Sequence, residues 1–158
     1  MLKKLILAGA ACALFATPAA AQGVLNDWSI ADMKTAITAA GSTVTGSGTT
    51  DEGANYVNGQ TADGMKYLAY GTVCSTTTKR CKGANLSAGF TQTTDAEVDK
   101  RAKEIDRMAV GVRNGGDKSL DVNRYIIFDG GITPANLKTN IEVFVGIAND
   151  IWNGGGAD

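Results

Sequence analysis

Apolar residues recur along this chain with two different periods, and the change of period outlines the elements. Ile30, Met33, Ile37 and Ala40 fall at steps of three and four, which is one face of a helix. Ser29 stands before them as an N-cap with Asp32 three residues on, a capping-box spacing. Trp28 is placed to staple against Met33, and Gly41 closes the helix. A second stripe, Val98, Ala102, Ile105, Ala109 and Val112, predicts a helix over 95–112. Thr94 and Glu97 form its capping box, its outer face is charged, and Asn114-Gly115-Gly116 is its stop. A third stripe runs through Leu137, Ile141, Phe144, Ala148 and Ile151. It follows Thr133 as cap and Pro134 at the first helical position, where a missing N–H costs nothing. Residues 154–158 read as a frayed tail.

Between the first two helices the period falls to two. Tyr56-Val57 predicts a first strand and Ala62-Asp63-Gly64 a turn. Residues 65–74 and 81–92 read as the arms of a hairpin around Ser75–Arg80. Gly46-Ser47-Gly48-Thr49-Thr50 has no lysine and no helix after it, so it predicts a flexible connector rather than a phosphate-cradling loop. Ser119–Phe128 supplies a further strand, with Leu120, Val122, Ile126 and Phe128 on one face, and Asp129-Gly130-Gly131 turns into the last helix. The order α-β-β-β-α-β-α makes the fold class α+β. A small antiparallel sheet of roughly three to five strands is flanked by about three helices, in a single domain over 22–153.

The start of the chain changes the cysteine arithmetic. Residues 1–21 combine Lys3 and Lys4, an apolar run from Leu5 to Ala16 and the small residues Ala19-Ala20-Ala21. This pattern predicts a signal peptide cleaved near Ala21/Gln22, hence a periplasmic or secreted protein. Cys12 leaves with it, and Cys74 and Cys81 remain as an even pair, which in an exported chain reads as a disulfide. Their spacing does not fit the C-x-x-C of a redox pair, and two thiolates alone do not make a zinc site. The bridge requires paired hairpin residues to sum to 155. Met65, Tyr67, Ala69 and Val73 then lie opposite Phe90, Ala88, Leu86 and Lys82 and predict the core face. Leu68, Tyr70, Thr72 and Cys74 lie opposite Ser87, Asn85, Gly83 and Cys81, on a more polar face that carries the disulfide.

From Leu120 to Thr133 the run LDVNRYIIFDGGIT, followed by an amphipathic helix from Pro134 to about Trp152, resembles the YbjN family of bacterial sensory transduction regulators. The helix before it lacks the Trp-Asn pair that members often carry near its start. The resemblance implies a fold similar to type III secretion chaperones, a small antiparallel sheet with flanking helices, and it implies no catalytic residues.

Composition narrows the chemistry. Once residues 1–21 are removed, 13 basic residues face 16 acidic ones, a net charge of −3 that argues against nucleic-acid binding by net charge. No spanning segment follows the leader. With no histidine, there is no imidazole base, no Ser-His-Asp triad and no His-ligated zinc. Asp95, Glu97 and Asp99 read as helix-dipole partners and Asn114-Gly115-Gly116-Asp117 as a turn rather than a calcium loop. The Asn85-Leu86-Ser87 sequon reads as a chance match. No catalytic, metal or cofactor residue is assigned. Leu68, Tyr70 and Tyr125, with Lys79, Arg80 and Lys82 at the hairpin tip, are the candidate partner-binding residues. The expectation is an exported, non-enzymatic module that binds a protein partner or pairs with itself. The alternatives are a hydrolase using carboxylates alone, for which Asp121 and Asp129 flank the last strand, and a structural envelope protein.

Overall fold

A computed structural model describes residues 23–91, 94, 96, 99, 100, 103, 111–116 and 118–153. In chain order they form helix α1 (Ile30–Ala39), strands β1 (Thr43–Thr49), β2 (Asn55–Gln60), β3 (Lys66–Cys74), β4 (Cys81–Thr91), β5 (Gly111–Gly116) and β6 (Ser119–Ile127), and helix α2 (Pro134–Trp152). The strands make one open antiparallel sheet of six, ordered β1-β2-β3-β4-β6-β5. The class is α+β, as the patterning predicts, with more strands than expected.

The helix ends follow their local chemistry. Asp32 N–H donates to the Ser29 hydroxyl, and the Asp32 carboxylate accepts from Ser29 N–H at 2.9 Å, completing the capping box. Gly41 follows with φ +82, the left-handed conformation that ends a helix cheaply only at glycine. Thr133 Oγ1 accepts from Asn136 N–H and caps α2.

The apolar stripes meet in one core. Met33, Ala36 and Ile37 of α1 and Leu137, Ile141, Phe144 and Ala148 of α2 are buried against Val57, Tyr67, Ala69, Leu86, Ala88, Phe90, Leu120, Val122 and Ile126. Tyr67 and Phe144 meet edge to face at 5.8 Å between ring centroids. Both helices therefore cover the same face of the sheet.

Three sequence expectations are corrected. Residues 46–49 of the glycine-rich 46–50 stretch belong to an edge strand, β1, and not to a flexible connector. Its glycines carry no side chain to alternate, so no period marks it. Second, most of the middle helix read over 95–112 lies outside the described residues. Ala96, Asp99, Lys100 and Lys103 are helical, but Gly111 and Val112 open β5, and Asn114-Gly115-Gly116 lie in that strand rather than ending a helix. Residues 1–21 also lie outside the described part.

The third correction concerns the hairpin. Its register sums to 155 throughout, from Leu68↔Ser87 to Cys74↔Cys81. Val73, however, adopts φ +51, leaves the ladder and stands 72% exposed. Past this left-handed residue the bridge points toward the helices. Cys81 is fully buried, and the Cys74–Cys81 sulfurs sit over Gly71 on the core side, not on the open face.

A Cβ on Gly71 would stand 2.5 Å from Cys81 Sγ, 2.8 Å from Cys74 Sγ and 3.1 Å from the Asn55 carbonyl. Gly71→Ala is expected to lower stability by about 1–3 kcal/mol in urea unfolding. Gly146→Ala, on the exposed side of α2 where nothing lies within 4 Å, is expected to raise it by about 0.5–1 kcal/mol.

Candidate functional site

Three of the four tyrosines lie on the face away from the helices. Strand register sets Tyr56 beside Tyr70, Tyr70 beside Asn85, and Asn85 beside Tyr125, one row across four strands. The next row holds Asn58, Leu68, Ser87 and Asn123. Tyr125 and Ile127 are 54% and 61% exposed, while Tyr56, Leu68, Tyr70 and Thr72 are half-buried. Among the described residues, α1 contacts β1 and β2, and α2 contacts β4 and β6, from the core side only.

Glycines on neighbouring strands give these rings their resting places. The Tyr56 ring lies across Gly48, where a Cβ would meet it at 2.8–2.9 Å. Tyr125 lies over Gly83, and its hydroxyl hydrogen-bonds Thr72 Oγ1 at 2.7 Å. Tyr67 covers Gly59 on the core face in the same way, and burial pushes its phenol above the ordinary value. Each ring shields the backbone that a glycine leaves bare. Between the outer two tyrosines, the Asn85 amide donates to Asn123 Oδ1 at 3.3 Å.

The structure thus brings Leu68, Tyr70 and Tyr125 together on one face. It does not gather Lys79, Arg80 and Lys82 into a patch. Arg80 Nε pairs with Asp27 Oδ1 at 2.5 Å, and its terminal nitrogen reaches Asp32 Oδ2 at 2.9 Å and the Asp27 carbonyl at 3.1 Å. It clamps the segment before α1 onto the hairpin. Lys82 lies 3.5 Å from Asp129, an exposed pair of little energetic weight. Lys79 sits at φ +55, and its carbonyl accepts from the buried Asn55 amide at 2.9 Å.

The carboxylates do not converge either. Asp121 lies beside Gly89 on the open face, whereas Asp129 lies beyond the other end of β6, about 25 Å along the chain. Asp99 is exposed on its helical segment, and Asp95, Glu97 and Asp117 lie outside the described residues. Tyr56 escapes sequence reading because its place beside Tyr70 depends on a β2–β3 register that no disulfide marks. Ile127 is legible as part of a half-apolar second strand face.

Asp32 is the carboxylate most embedded in this network. Burial acts to raise its pKa. The hydrogen bonds from Ser29 N–H and hydroxyl, with the Arg80 charge, outweigh it and hold the pKa below the ordinary value of 3.8. A carboxylate lowered in the folded state stabilises the fold above its unfolded pKa, and that contribution disappears as pH falls through the folded value. Urea midpoints are expected to drop as pH is lowered past 3.8, and to drop less in Asp32→Asn. Comparison of the chain with protein-family models, with curated proteins and with solved structures gave no match.

Proposed function

We propose that this chain is an exported, non-enzymatic binding module of the bacterial envelope, chaperone-like or regulatory in kind, which engages a protein partner through the open face of its sheet. One observation carries the reading. At the hairpin end of that face Tyr70, Tyr125 and Ile127 stand together, with Val73 at the tip, and no described element covers them. Clustered apolar and aromatic exposure of this kind favours contact with another macromolecule, and tyrosine gives large contact area at low entropic cost.

Other features support the reading. The Cys74–Cys81 bridge suits an oxidising compartment. The wide separation of Asp121 and Asp129 disfavours the paired-carboxylate hydrolase. The open antiparallel sheet with helices on one face fits what the resemblance to the YbjN family implies in outline.

The test is brief crosslinking of the tagged protein in its own envelope, followed by mass spectrometry of what elutes. One reproducible partner protein is expected, with recovery falling at least about tenfold in the double variant Tyr70→Ser/Ile127→Ser. Ile127 is exposed and Tyr70 half-buried, outside the core, so that variant is expected to stay folded and to lose no more than about 1–2 kcal/mol in urea unfolding. Equal recovery from both proteins would defeat the reading.

A further inference from the structure

At the far end of the open face from the hairpin tip, the surface changes character. A groove of about 580 Å³ runs there, lined by the side chains of Thr45, Asn58, Gln60, Lys66, Leu68 and Ser87. Its lining has no carboxylate and one cation. Gly89 puts no side chain on this face, so amides and hydroxyls form the walls around an aliphatic patch at Leu68. Thr45, Asn58, Lys66 and Ser87 make no side-chain hydrogen bond or ion pair to another described residue. Gln60 donates to the Gly64 carbonyl and keeps its own amide oxygen free. One row away, the Tyr56 ring lies over Gly48 with one side on the backbone.

From this lining we infer that the groove binds an uncharged oligosaccharide. Unsatisfied neutral donors and acceptors hold water in the free protein, and a ligand must replace that water with hydrogen bonds of both kinds. A sugar hydroxyl both donates and accepts, which matches an amide that does the same. The apolar ring face of a sugar covers Leu68. A polyanion would need several cations and finds one lysine. The groove volume falls within the range of small-ligand sites. This site lies apart from the protein contact proposed at Tyr70, Tyr125 and Ile127, and it stands whether or not that contact is real.

The experiment is titration of the 15N-labelled protein, purified from the periplasm, with cellotetraose, with chitotetraose and with the peptide Ser-Asn-Gly-Thr. Saturable amide shifts at Asn58, Lys66, Leu68 and Ser87 with at least one of the two sugars, and none with the peptide, are expected. The double variant Asn58→Ala/Ser87→Ala, with an otherwise unchanged spectrum, is expected to weaken sugar binding about tenfold. Tyr70→Ser/Ile127→Ser is expected to bind sugar as the unsubstituted protein does. The inference is overturned by the absence of saturable shifts with both sugars up to about 10 mM, by saturable shifts with the peptide alone, or by undiminished sugar binding in Asn58→Ala/Ser87→Ala.

Discussion

The closed end of the β3–β4 hairpin ties together parts of the chain that lie far apart in sequence. The Cys74–Cys81 bridge closes a loop with a sequence separation of 7, which contributes about 2–3 kcal/mol by restricting the unfolded chain. Its larger role is positional. Cys81 exchanges two backbone hydrogen bonds of 2.9 Å with Trp28, and the Trp28 indole donates to the Gly83 carbonyl at 2.8 Å. Arg80 grips Asp27 and Asp32, and Asn55 reaches the Lys79 carbonyl. The entry to α1, the start of β2 and the hairpin thus share one anchor, and α1 lies where its stripe meets the sheet. Val73 accepts a left-handed backbone that a β-branched residue adopts only under constraint, at a cost of about 1–3 kcal/mol. The bridge on one side and the core on the other supply that constraint.

Turning the bridge inward leaves the outer face of the sheet free of it. Both helices have gone to the core side, and glycines at 46, 48, 83 and 89 keep the outer face low. Tyrosine rings rest on two of those glycines instead of on a covering helix. The result is a surface with two kinds of chemistry, aromatic and aliphatic near the hairpin tip, amide and hydroxyl toward the groove.

Much of this was legible in the sequence where a local rule was strong. The capping box at Ser29 and Asp32, the Thr133-Pro134 start of α2 and the buried stripes of both helices follow from spacing alone. The hairpin register followed from a single covalent assumption. Where the rules act through absence, they gave no signal. β1 is polar and glycine-rich, so it has no hydrophobic alternation to detect, and β5 was absorbed into the tail of a helical stripe ending at Val112. At Val73 the backbone turns left-handed and drops out of the ladder while the register sum holds, so the Cys74–Cys81 pair beyond it lies on the other face from the one strict alternation predicts. Arg80 looked like a surface charge because Asp27 and Asp32 are 53 and 48 residues away from it in sequence.

The tyrosines offer the most direct test of the central claim, that the open face is the working surface. Nitration of tyrosine reads exposure residue by residue, and Tyr67 is an internal control because it is buried in the core. The purified protein and the protein in intact cells are treated alike and compared by peptide mass spectrometry. The account predicts that Tyr70 and Tyr125 are modified in the purified protein and protected in cells, with Tyr67 unmodified in both. Equal modification of Tyr70 and Tyr125 in the two settings would contradict it.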